Sequence, residues 1–288
     1  MNETSYTYAV ARVRANELTL LSAADLEQVI AAPNLAAAEQ LLRDRGYADP
    51  DGKMEETWRL IEEILPEAGT LNFLIIQNDF HNLKALLKSL FTNSAPEGVF
   101  MRPAVYDPNE LYSALRDKRF DRLPACMAAC AEEAYELLAK TLDGQLADAI
   151  IDRQCLETIL ALAKAAKNDF AFALAELTCG LANVKIALRA EKTGKGRAFL
   201  DKALCGIALP EGIPEDILAD GAAFEKYCDD ALLEHAAAAK AKHFGMEPLI
   251  AFYLARQAEV KNVRVVLACK RNDLPAGEIR KRVRLLYV

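Results

Sequence analysis

The chain has 288 residues, with 35 Lys and Arg against 42 Asp and Glu, and a net charge of −7. That balance excludes a general nucleic-acid binder, which carries a basic footprint. The length supports a sizeable core in one large domain or in two to three smaller ones. Gly is scarce at 13 residues and Ala abundant, which favours helix over a turn-rich β protein. The seven Cys are scattered at 126, 130, 155, 179, 205, 228 and 269, and read as reduced core thiols of a cytoplasmic protein.

In chain order, residues 6–17 (YTYAVARVRANE) read as a helix. Ser22 is the N-cap and Asp25 the capping-box acid of a short helix that runs to Ala32 and stops at Pro33. Asn34 caps the next helix, which ends at Gly46 as its C′ residue. YADPDG is a turn, 53–65 a helix, and Pro66 separates it from a longer helix over 67–91. The stretch 92–110, with Pro96, Gly98, Pro103 and Pro108, is the longest irregular segment. Asp107-Pro108-Asn109-Glu110 restarts the helical pattern with Pro at N1 and Glu at N3. From Glu132 to Lys167 the periodicity predicts a nearly continuous helix of about 50 Å, broken only by Gly144, with a stripe from Tyr135, Leu138 and Leu142 to Ala163. Helices follow over 168–191, over 215–244 and over 249–271, with a loop at TGKG (193–196) and punctuation at LPEGIPED. TGKG is not a phosphate loop, because Arg189 stands where the first Gly belongs and Gly196 where Ser or Thr belongs.

One pattern occurs three times: Asn82-Leu83-Lys84, Asn183-Val184-Lys185 and Asn262-Val263-Arg264, each inside an apolar-periodic helix. At about 100° per residue, Asn82 shares its direction with Leu71, Ile75 and Leu86. Asn183 shares its direction with Phe172, Ile186 and Ala187 (and with the charged Glu176), and Asn262 with Ala251, Ala255, Ala258 and Val266. Each Asn is therefore expected inside, bonded to the backbone of a neighbouring segment, since an unpartnered buried amide costs about 1–3 kcal/mol. The bases two positions on, Lys84, Lys185 and Arg264, point about 200° away and are candidates for a partner-facing surface. Leu274–Ile279 resembles Leu21–Leu26, which marks the N-terminal helix as a degenerate copy of a repeat element.

No catalytic constellation stands out. His81, His235 and His243 lack zinc-type spacing, and Cys126 and Cys130 have no partners for a metal site. No cofactor is expected. Pairs such as Glu55-Glu56, Glu62-Glu63 and Asp229-Asp230 read as solvated helix faces. Residues 254–288 carry nine bases and three acids, either a solvated face or a docking surface for an acidic partner. The opening MNETSYTYAV lacks the basic and apolar regions of a secretory leader, and no charge-free apolar run of about 18 residues is present, so no membrane insertion is expected.

Four stretches together are similar to the C-subunit family of the bacterial and archaeal V/A-type rotary ATPases, whose eukaryotic counterpart is the d subunit of the V-ATPase. They are YTYAVARVRANELTLLSAADLEQVI, NDFHNLKALLK, ANVKIALRA and EVKNVRVVLACKRNDLPAGEIRKRVRLLYV; residues 92–165 carry little of the likeness. The resemblance implies an all-α protein of three similar helical lobes in a pseudo-threefold funnel. Here the lobes are expected at 1–105, 106–195 and 196–288, the last with the basic C-terminal tail. It implies a non-catalytic rotor component, peripheral on the cytoplasmic face of the cell membrane, that receives the central shaft and sits on the membrane proteolipid ring. The competing reading is a freestanding helical-repeat scaffold for soluble protein partners.

Overall fold

The computed structural model describes residues 3–92 and 100–288; Pro96 and Gly98 of the expected irregular segment lie outside the described residues. Among those described there are fourteen α-helices, short 3-10 turns and no strand. The contacts divide the chain into two compact units. Unit 1 is Met1–Ala68 with Gly212–Val288, and unit 2 is Gly69–Glu211. The first border falls at 68/69 and the second inside LPEGIPED, so both expected lobe borders, 105/106 and 195/196, lie within unit 2.

Unit 1 opens with α1 (Thr7–Glu17), α2 (Ala23–Ala31), α3 (Leu35–Asp44) and α4 (Pro50–Ile64). The local signals act as read. The Ser22 hydroxyl accepts from the Asp25 N–H while the Asp25 carboxylate accepts from the Ser22 N–H. Asn34 accepts from the Ala37 N–H, and Gly46 takes φ +81° beyond α3. The turn expected at YADPDG is shorter than read: Pro50 starts α4, as Pro suits a first helical turn whose N–H has no partner. After α11 (Glu215–Ala219) and α12 (Gly221–Ala237) comes α13 (Glu247–Arg271), which packs against α1, α2, α3, α4, α12 and α14 (Ala276–Arg282). Sixteen of its 25 residues are buried, which makes it the axis of the unit. The Trp58 and Tyr253 rings meet edge-on, centroids 5.6 Å apart, across the α4–α13 contact. The helices resembling each other, α2 and α14, lie together, with Arg280 paired to Glu27.

Unit 2 holds α5 (Ile76–Thr92), α6 (Pro108–Arg116), α7 (Ala125–Thr141), α8 (Gly144–Ala165), α9 (Asp169–Lys192) and α10 (Arg197–Ala203). Helix α5 starts later than expected, because Asn72–Leu74 form a 3-10 turn first. The expected 50 Å helix over 132–167 is instead a hairpin in which α7 packs on α8. Leu142, assigned to the apolar stripe, turns left-handed at φ 56° and is 78% exposed, and Asp143 then caps α8 by accepting from Gln145 and Leu146 N–H. The apolar periodicity runs through both helices because both use one core, so the pattern hid the turn.

Candidate functional site

The three repeated asparagines are 0%, 1% and 0% exposed at 82, 183 and 262. Each binds a non-helical segment 19 to 22 residues downstream. Asn82 on α5 donates from Nδ2 to the Met101 carbonyl (3.1 Å) and accepts the Met101 N–H on Oδ1 (2.7 Å). Asn262 on α13 does the same to Arg284, at 3.1 and 2.7 Å. Asn183 on α9 donates to the Cys205 and Ile207 carbonyls, both at 3.0 Å, and accepts the Cys205 N–H at 3.2 Å.

The chemistry explains the residue type. A helix consumes its own peptide groups, so a non-helical segment laid on it finds no backbone partner there. A carboxamide offers a donor and an acceptor side by side, and so replaces one rung of a strand ladder. Asp would lack the donor, and Gln would carry the amide one methylene too far. These clasps fulfil the expectation drawn from helical phase.

Neighbouring positions extend them, and sequence reasoning missed these. Four residues before the first clasp asparagine, Asn78 donates to the Pro103 carbonyl at 2.8 Å. Three before it, Asp79 accepts the Val105 and Tyr106 N–H groups at 2.9 and 2.8 Å while fully buried, and burial pushes its carboxyl above the usual range. The same offset from Asn183 is Gly180, which lies against Ala208 and Pro210. The same offset from Asn262 is Glu259. The signal available was a cluster of polar residues, QNDFHN, on an otherwise apolar helix.

Glu259 anchors a second buried assembly. It accepts from the Leu21 N–H, from the Tyr47 hydroxyl and from Arg256 Nη1 (2.8 Å), and Arg256 Nη2 donates to Thr19 Oγ1 at 2.8 Å. Arg256 and Glu259 side chains are 3% and 2% exposed. Burial raises the Glu259 carboxyl while Arg256 opposes it, and burial together with the Glu259 charge drives the Tyr47 hydroxyl upward. A buried, hydrogen-bonded charge pair ties three distant stretches of unit 1 together and has the form of a structural lock.

The candidate partner-facing bases divide. Lys84 bonds Asp152 of α8 at 2.5 Å inside unit 2 and is only partly exposed. Lys185 and Arg264 are exposed. Most of the basic C-terminal stretch is engaged internally. Arg256 pairs with Glu259, Lys261 and Arg284 with Asp229, Arg280 with Glu27, Lys281 and Arg282 with Glu278, and Lys270 donates to the Ala32 carbonyl. Asp229 and Asp230 are therefore not a solvated face: Asp229 takes Lys261 and Arg284, and Asp230 takes Lys226 and the Leu285 N–H. These bonds fix the last residues against α12. His81 is exposed on α5, its pKa lowered by partial desolvation and by Lys84 and Lys88.

Among the described residues no group of three or more His, Cys, Asp or Glu is placed to hold a metal ion. Among the described residues one helix, α9, is long and apolar enough to cross a membrane by length and composition. It packs against α8 and α10 and buries Asn183 in a clasp, as a core helix does.

Fold and site together define an all-helical protein whose buried polar side chains hold backbone segments in place. The chain belongs to the ATP synthase (C/AC39) subunit family, whose model matches residues 9–212 and 197–282. The C subunit of the V-type sodium ATPase of Enterococcus hirae is 22% identical over 96% of this chain and 97% of the relative.

Proposed function

We propose that this chain is a non-catalytic central-stalk component of a V/A-type rotary ATPase or ATP synthase. In this reading it is a socket that receives the central shaft, sits on the membrane proteolipid ring and passes torque between them. The observation that carries the reading is the family match along nearly the whole chain, joined by a full-length relative that is itself part of a V-type ATPase. The clasps supply what a torque-bearing part requires: non-helical segments held by buried bonds rather than left free to yield. In this reading each clasp belongs to one of three related lobes, arranged as a pseudo-threefold funnel, and attachment at the cytoplasmic face of the membrane is through protein contacts. The exposed Lys185 and Arg264, and Lys84 beside Asp152, are the bases proposed to face a partner. A contact that carries torque spreads over an area at or above the standard interface of about 1,600 Å².

The test is a pull-down with tagged chain from detergent-solubilised membranes of the source cell, read by mass spectrometry. Proteins of the shaft, ring and head are the expected partners. Soluble partners alone, from a preparation in which the rotary ATPase is intact, would replace this reading with the freestanding scaffold. Joint reversal of Lys84, Lys185 and Arg264 to Glu is expected to weaken shaft or ring binding. Unchanged binding of both removes these residues from the contact.

A further inference from the structure

The second clasp contains two groups that the proposed assembly leaves unused. Cys179 stands four residues before Asn183 on α9, and Cys205 is the residue whose N–H and C=O Asn183 holds. Both are buried, with free thiols. Four residues are one helical turn, so Cys179 and Asn183 present the same face to the segment. In the first clasp this position is Asn78, which reaches the segment to bond Pro103. In the second, both positions carry thiols beside the clasp amide: the Cys179 thiol donates to the Leu156 carbonyl at 3.5 Å, the Cys205 thiol donates to Asn183 Oδ1 at 3.5 Å, and the two thiols are near enough to influence each other's ionisation. Gly180 brings the two backbones close. A Cβ there would sit 3.0 Å from Pro210 Cδ and 3.3 Å from the Ala208 carbonyl oxygen. A disulfide needs such an approach, with Cα atoms about 4.4–6.8 Å apart.

We infer that Cys179 and Cys205 are a redox pair that a small-molecule disulfide converts to an intramolecular disulfide, fastening the 204–210 segment to α9. Cys205 is the attacking group because it sits on the non-helical segment, which leaves α9 when the clasp opens, whereas Cys179 stays on the helix. The Cys205 thiolate attacks one sulfur of the oxidant and expels the other as thiolate, leaving a mixed disulfide. Cys179 then loses its proton, attacks the Cys205 sulfur and expels the second thiolate. The protein gives up two electrons and two protons, and one disulfide molecule becomes two thiols. Because both sulfurs are buried, the oxidant enters only when the clasp opens, so the rate of closure reports clasp opening.

The experiment uses the full reduced chain with oxidised glutathione as probe, followed by alkylation, tryptic digestion and non-reducing mass spectrometry. Lys185, Arg189 and Lys192 place the two cysteines on different peptides. The expected product is a Cys179–Cys205 linked peptide that disappears on reduction, with a higher Tm for the oxidised chain. Asn183→Ala is expected to speed closure, and Cys179→Ser or Cys205→Ser to abolish both the link and the Tm shift. Glutathione on Cys205 without a link overturns the inference. So does full alkylation of both thiols after denaturation, under conditions where half-buried Cys126 has taken up glutathione. Peptide mapping of the unaltered chain decides the matter even where a variant fails to fold.

Discussion

Replacing Asn262 tests whether the clasps hold the fold. Asn262→Ala removes two bonds, from Nδ2 to the Arg284 carbonyl and from the Arg284 N–H to Oδ1. Each neutral bond contributes about 0.5–1.5 kcal/mol net, and a buried peptide group left without a partner costs about 1–3 kcal/mol. Arg284 is partly exposed, so water relieves part of that penalty. The expected loss is therefore about 2–3 kcal/mol, in the range set by those bond terms. Urea unfolding measures it, and hydrogen exchange localises it: the Arg284 amide should lose protection while amides in the middle of α13 keep theirs. Asn262→Asp refines the test. It keeps the acceptor but sets a carboxylate oxygen where the donor faced the Arg284 carbonyl. Burial and that carbonyl would raise the folded pKa above the unfolded value of about 3.9. Stability of this variant is then greatest below the unfolded pKa and is lost as pH rises through the folded one. An Asn262→Ala loss under about 0.5 kcal/mol, below a single typical bond, with Arg284 protection unchanged would refute the reasoning.

Three further outcomes are expected. Glu259→Ala strands the buried Arg256 guanidinium, the Tyr47 hydroxyl and the Leu21 N–H, and should cost about 3–5 kcal/mol by urea denaturation, clearly more than Glu259→Gln, which keeps one acceptor. Asp79 has a folded pKa raised by burial, so its contribution is fully present below the ordinary carboxyl pKa and is lost as pH rises through the raised value. The stability advantage of wild type over Asp79→Asn, measured by denaturation across that window, should therefore shrink with rising pH; an advantage that grows would contradict the assignment. Leu142 holds φ 56° while mostly exposed, so Leu142→Gly should stabilise the chain by about 1 kcal/mol, visible as a higher Tm.

Signals that act within one or two turns were legible in the sequence. The Ser22–Asp25 box, the Asn34 cap, Gly46 and the Pro108 start depend on hydrogen bonds between residues a few positions apart, and they stand where the sequence places them. Helical phase also put Asn82, Asn183 and Asn262 inside, because a period of 3.6 fixes direction without reference to the rest of the chain. The all-helical class follows from the same local information.

Only the tertiary structure decided what those directions meet. Asn262 finds Arg284 and Glu259 finds Leu21, partners 22 and 238 residues away, and nothing local encodes such a pairing. Phase alone gave no reason to bury Asp79 or Glu259, since burial of a charge depends on the donors that converge on it. The turn at Leu142 was signalled only by Gly144 two residues on, and the reversal of direction stayed hidden because two helices sharing one core continue one apolar pattern. The charge excess of the last 35 residues is largely paired within the chain, partly because the fold brings Glu27 and Asp229 to it, while Lys281 and Arg282 pair with Glu278 of the same helix. Direction is a local property of a helix; the identity of a partner is a property of the whole packed chain.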